Sequence, residues 1–136
     1  MGRQFQQRQG YGVSWLAVGF GAALGSWLRW GLTAYMNALH NHLPFGTLVA
    51  NLVGGYLIGI ALGFFQQYPA LSAEWRLFAI TGFLGGLTTF STFSAEAMIL
   101  LQRGDYAWAL GHTALHLIGS IACCIAGFAT YQVLAG

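Results

Sequence analysis

Gly85-Gly86-Leu87-Thr88-Thr89-Phe90-Ser91-Thr92-Phe93 lies inside an uncharged stretch, Leu77–Ala95, of a chain in which charge is rare. Only 6% of the 136 residues are charged and 57% are hydrophobic, against about 25% charged in an ordinary soluble domain. Water is not the main solvent of such a chain. The charges are Arg3, Arg8, Arg29, Glu74, Arg76, Glu96, Arg103 and Asp105, with no lysine. Between them lie the uncharged stretches Gln9–Leu28, Trp30–Ala73, Leu77–Ala95 and Tyr106–Gly136. A helix needs about 20 mostly apolar residues to cross a bilayer core of about 30 Å. The first, third and fourth stretches each suffice for one crossing, and the second holds more. The polar cluster His40-Asn41-His42, followed by Pro44, divides it.

The expected fold is therefore an all-α membrane protein of four transmembrane helices. The sequence predicts helices over Tyr11–Leu39, Phe45–Phe65, Trp75–Leu101 and Tyr106–Leu134. They form a single four-helix transmembrane domain over residues 1–136, with residues 1–12 expected as a flexible tail. The first apolar segment is too long for a secretory signal and further spans follow. Trp15, Trp75 and Trp108 fall near helix ends, where amphipathic rings favour the headgroup layer. Arg103-Gly104-Asp105 reads as a polar hairpin between two spans, not as an adhesion motif.

Glycine recurs at intervals of four, at Gly21/Gly25, at Gly55/Gly59/Gly63 and around Cys123 as Gly119/Gly127. Residues four apart share a helix face, so these are smooth stripes along which backbones approach closely. They suit packing within one subunit or contact between subunits. Cys123 and Cys124 are adjacent in an apolar helix and read as small packing residues. With four spans, the N-terminus and the 2–3 loop share a side carrying Arg3, Arg8 and Arg76, against Arg103 opposite. So weak an arginine bias allows insertion in both orientations.

Polar groups held at depth in a membrane are costly and mark function. Candidates are Arg29, Thr47, Asn51, the hydroxyl cluster Thr88–Ser94, Glu96, His112, Thr113, His116 and Ser120. No phosphate-binding glycine loop, nucleophile elbow, zinc-protease motif or paired acid motif occurs. Neither an enzyme nor an ATP-driven pump is supported, and the scattered arginines give no nucleic-acid surface. Gly85-Gly86 followed by two threonines is poor helix material, since glycine costs about 1 kcal/mol relative to alanine in a helix. A break there frees carbonyls that lipid cannot satisfy but an ion can.

Phe90 and Phe93, three apart, share a helix face beyond that break. A phenyl ring is positive at its edge, so edges turned into a pore favour an anion without a fixed charge to trap it. Periodicity alone fits packing or lipid-facing roles better. Asn51 heads a face continued by Gly55 and Gly59. Its amide suits either an anion stripped of water or a bond between helices.

Gly46-Thr47-Leu48-Val49-Ala50-Asn51-Leu52-Val53-Gly54 and Gly82-Phe83-Leu84-Gly85-Gly86-Leu87-Thr88-Thr89-Phe90-Ser91-Thr92-Phe93-Ser94-Ala95-Glu96 resemble the signature of the Fluc (CrcB) family of bacterial fluoride channels. Gly19–Gly25 with Arg29 is similar to the family's first helix. The resemblance implies an antiparallel, dual-topology homodimer with two pores in the bacterial inner membrane, passively exporting fluoride and conferring fluoride resistance. It implies that Phe90 and Phe93 line the anion path, that Asn51 donates hydrogen bonds to the ion, and that Ser91 and Thr92 belong to a polar track. It further implies a structural sodium ion (Na+) at the dimer centre, held by the carbonyls of Gly85 and Thr88. Arg29, Thr47 and Glu96 match characteristic family positions.

One departure stands out on the fourth helix. The face that in relatives tends to carry tyrosine and serine hydroxyls reads His112, His116 and Ser120 here, assigned to the pore. Histidine donates as a hydroxyl does but also charges near neutral pH, so transport is expected to be more pH-sensitive than in hydroxyl-bearing relatives. Two other readings compete. A proton-coupled drug transporter would need Glu96 as its exchanging acid, and a non-transporting assembly subunit would rest on the glycine stripes alone.

Overall fold

The chain is helical almost throughout, because apolar segments in a bilayer must satisfy their own backbone groups. The structure, a computed structural model, describes the backbone of residues 2–39 and 43–136, and side chains from residue 12 onward. Its elements are α1 (Gly2–Met36), a 3₁₀ turn (Asn37–Leu39), α2 (Phe45–Gln67), α3 (Ala73–Arg76), a π-helical stretch (Leu77–Leu84), α4 (Gly85–Leu87), α5 (Phe90–Gln102) and α6 (Tyr106–Ala135). No strand occurs among the described residues. The division at His40-Asn41-His42, and the side chains of Arg3 and Arg8 used for orientation, lie outside them.

Among the described residues, three helical stretches are long and apolar enough to cross a membrane, Phe45–Gln67, Ala73–Gln102 and Tyr106–Ala135. Four were expected. α1, although 35 residues long, is not among the three; its described part carries Trp15, Trp27, Trp30, Ser14, Ser26 and Arg29 between its aliphatic residues. It also begins at Gly2, so the backbone is helical through most of the expected tail. Glutamine and arginine in that stretch are good helix formers.

The glycine stripes pack helices within the subunit. A Cβ on Gly59 would lie 2.0 Å from the Cys124 carbonyl oxygen, and one on Gly127 2.0 Å from that of Tyr56. No side chain fits, so α2 and α6 meet backbone to backbone. Tyr56 Oη donates to Thr130 Oγ1 at 3.1 Å, and Tyr131 Oη to Gln67 Oε1, pinning the far end of the pair. Gly21 and Gly25 lie in the same way against the carbonyls of Phe78 and Phe83 in the π-helical stretch. Asn37 Oδ1 accepts from the Gly46 N–H at 2.8 Å and ties the end of α1 to the start of α2.

The third span breaks, but not at its glycines. Gly85 is helical, with φ −63° and ψ −36°. The chain turns extended at Thr88 (φ −87°, ψ 154°) and Thr89 (φ −151°, ψ 118°). Gly86 serves close approach instead, as a Cβ there would meet the Ala22 carbonyl oxygen at 2.6 Å. α5 ends as expected at Arg103-Gly104-Asp105. Gly104 takes φ +78°, and the Gly104 and Asp105 N–H groups close on Leu101 and Leu100.

The buried apolar core is small, centred on Ala50, Leu84 and Leu87. Large apolar side chains such as Phe20, Trp27, Leu110, Ile118, Ile125 and Val133 stand exposed instead. That inversion is what a lipid solvent requires.

Candidate functional site

The break at Thr88–Thr89 is held by one side chain from α2. Thr89 N–H donates to Asn51 Oδ1 at 2.7 Å, and Asn51 Nδ2 donates to the Thr89 carbonyl at 3.0 Å. Asn51 therefore replaces the helical partners that the break removes. Thr89 also caps α5, its Oγ1 accepting from Thr92 N–H at 3.1 Å and lying within 3.3 Å of Ser91 Oγ. The N–H groups of Thr89 and Thr92 would close the carbonyls of Gly85 and Thr88 in a continuous helix. Both are engaged elsewhere. The Gly86 carbonyl is met by Arg29 Nε at 3.0 Å, so Arg29 supports the backbone of α4.

Beyond the break, Phe90 and Phe93 meet edge to face, with centroids 5.3 Å apart and planes at 69°. Phe90 stands 79% exposed on the single chain. Phe93 instead stacks on His116, with centroids 4.8 Å apart, and lies 5.5 Å from the His112 ring. The two imidazoles are themselves edge to face at 4.4 Å. His112 and His116 are 2% and 4% exposed, so α6 buries polar rings against α5.

Glu96 lies behind this aromatic group. Its Oε1 accepts from the fully buried Thr47 Oγ1 at 2.5 Å, and its Oε2 faces His112 Nε2 at 3.4 Å. His116 is bound from the other side, Asn51 Nδ2 lying 2.9 Å from its Nδ1. One ligand atom each of Glu96, His112 and His116 lies within 4.8 Å of the others.

A cleft of about 660 Å³ runs past the break, lined among others by Asn51, Gly85, Thr88, Phe90, Phe93, His116 and Ser120. With Thr89 and Thr113, which also line it, nine of the candidate residues singled out from sequence share one wall. Thr47, Glu96 and His112 form the layer behind it, Ser91 and Thr92 sit with Thr89 at the start of α5, and Arg29 stands apart on Gly86. The arrangement offers an anion ring edges and hydroxyls, and offers a cation carbonyls from a broken helix.

Residues 16–128 match the family described as "CrcB-like protein, Camphor Resistance (CrcB)". The chain belongs to the CrcB family. It is 61% identical over 123 residues to a Cupriavidus pinatubonensis protein named "Fluoride-specific ion channel FluC", covering 90% of this chain and 98% of that one. A Pseudomonas putida protein of the same name is 58% identical over 90% of this chain and 97% of its own. One from Ralstonia pickettii is 55% identical over 89% and 96%. These relatives are named as ion channels, not as enzymes.

Two features of this CrcB-family chain were not legible beforehand. Thr89 passed as one hydroxyl in a cluster, yet its N–H, carbonyl and Oγ1 are all used to end one helix and start the next. A threonine immediately before the apolar start of a helical run, here Phe90, is an N-cap signal that could have marked it. The layering of Glu96, His112 and His116 needed the tertiary fold, because no sequence spacing links α5 to α6.

Proposed function

We propose that the chain is a fluoride-selective ion channel that passively exports fluoride from the bacterial cytoplasm across the inner membrane and lowers its toxic concentration. The observation that carries this reading is the pair Phe90 and Phe93, edge to face at the mouth of a broken helix, in a multi-pass membrane chain of the CrcB family. Fluoride holds its water tightly, so a selective pore must replace that shell with donors and ring edges. Ser91 and Thr92 at the start of α5, and Thr47, His112, His116 and Ser120 around Phe93, supply polar groups along the route. Chloride gains less from such donors. Arg29 and Glu96 shape the pathway through Gly86 and Thr47.

The working unit is an antiparallel, dual-topology homodimer of four-span subunits with two pores. Phe90, prominent on the single chain, favours this assembly because a second copy would cover it. A structural sodium ion at the dimer centre fits the carbonyls of Gly85 and Thr88, since both residues line the cleft and the N–H groups that would close them are turned elsewhere. Bound there, sodium would supply fixed positive charge near the anion routes, where charge acts strongly away from water.

The test is efflux from proteoliposomes loaded with fluoride, read by a fluoride electrode with a potassium ionophore balancing charge. Fast fluoride efflux with chloride retained is expected. No efflux, or equal chloride flux, refutes the proposal.

A further inference from the structure

The network around the break leaves the buried ring nitrogen His116 Nε2 without a partner. Thr89 N–H can only donate, and it points at Asn51 Oδ1, which fixes the Asn51 amide with Nδ2 on its other side. One N–H of that Nδ2 goes to the Thr89 carbonyl and the other meets His116 Nδ1. Both donors of Asn51 are thereby used. His116 Nδ1 must accept, and in a neutral imidazole the proton then sits on Nε2. His116 Nε2 is buried and has no hydrogen-bond partner in the protein. Leaving such a group unmatched is costly, which marks it as awaiting a ligand.

Glu96, His112 and His116 have the composition of a divalent-metal site, and Glu96 Oε2 and His112 Nε2 face each other at 3.4 Å without a hydrogen bond. Metal ligation through His116 Nε2 would move the ring proton to Nδ1 and set donor against donor at Asn51. The amide cannot turn over in relief, because Nδ2 would then face the Thr89 N–H. An anion needs no such rearrangement, since the N–H it seeks is already there. The Glu96–His112 pair carries no net charge when it holds one proton more than a carboxylate and a neutral imidazole, so it need not repel that anion.

We propose that Asn51 is a positioning residue that locks His116 in the Nε2–H tautomer, and that this N–H, beside the stacked face of Phe93, is a hydrogen-bond donor to fluoride in this channel. The inference rests on the fluoride reading above and changes the role of Asn51 within it. Thr89, Asn51 and His116 act as a relay of fixed orientation: the break orients the amide, the amide sets the tautomer, and the tautomer presents the donor.

The experiment combines flux with a direct reading of the proton. The ¹⁵N spectrum of histidine-labelled protein in liposomes distinguishes the two tautomers, and His116 is assigned by its loss in H116M. Wild type is expected to show Nε2 protonated. In N51D the side chain keeps its shape and still accepts from Thr89, but can no longer donate, so the His116 proton is expected to move to Nδ1. H116M keeps the bulk and removes the donor, and its fluoride efflux should fall about tenfold or more, the scale of a lost hydrogen bond to a charged group. H116Q restores an N–H near the Nε2 position and should recover efflux to within about fivefold of wild type. Wild-type efflux in H116M, failure of H116Q to recover it, or an Nδ1–H signal in wild type each overturns the proposal. If wild type itself carries no fluoride, the channel reading fails and the donor role falls with it, while the spectrum still decides whether Asn51 sets the tautomer.

Discussion

The α2–α6 seam and the break in the third span are both glycine-rich, and they use glycine to opposite ends. Along the seam, Gly55, Gly59 and Gly127 let two continuous helices touch backbone to backbone, with side-chain hydrogen bonds at its two ends, Asn51 to His116 at one and Tyr56 and Tyr131 at the other. At the break, Gly85 stays helical and Gly86 leans on Ala22, while two threonines and an asparagine interrupt the helix. Poor intrinsic helix propensity did not decide where the chain opens. It opens where Thr89 can cap the next helix and Asn51 can take over the lost backbone bonds, because in lipid an interruption persists only if its polar groups find partners.

The comparison breaks most visibly at the seam. Gly59→Val would place a side chain on the Cys124 carbonyl, and the helices must separate, at about 3 kcal/mol or more. Unfolding in detergent should show the loss, and a neutral result would mean the seam is looser than its contacts. Asn51→Ala comes next, stranding the Thr89 N–H, its carbonyl and His116 Nδ1, at about 2 kcal/mol with fluoride efflux reduced. Retained stability would mean that water replaces the amide.

Smaller changes sharpen the picture. Phe93→Ile should cut efflux and cost about 1 kcal/mol through the lost stack on His116, whereas Phe90→Ile should cut efflux with little effect on the single subunit. Equal stability costs would contradict their different burial. Thr89→Val should cost about 1 kcal/mol through the lost cap, measured against the same reference. The smallest expected effect is on pH dependence: the efflux ratio between pH 5.5 and 8 should be flatter in H112Y than in wild type, because His112 Nε2 faces the Glu96 carboxylate and the pair can share a proton, whereas His116 Nδ1 accepts from Asn51 and stays unprotonated. Identical ratios would leave His112 without a titrating role.

Much of the molecule was legible in residue order. Long uncharged stretches separated by Pro44, by Glu74 and Arg76, and by the Arg103-Gly104-Asp105 turn marked the spans after the first to within a few residues, because a bilayer demands length and apolarity before anything else. The first helix was harder, since tryptophan, serine and arginine stand between its aliphatic residues while leaving it helical. The functional run was also visible, because hydroxyls and paired phenylalanines at depth are rare enough to be noticed, and the family resemblance rested on them.

Sequence alone determined that the chain is helical, membrane-borne and a member of the CrcB family, since composition and local motif carry those properties. Only the tertiary structure decided that the break falls at Thr88–Thr89, that the glycine stripes close the subunit upon itself, and that Asn51 reaches across to Thr89 and His116. Each depends on residues from different helices meeting at hydrogen-bond or van der Waals distance, and spacing along one helix holds no information about which partner stands opposite.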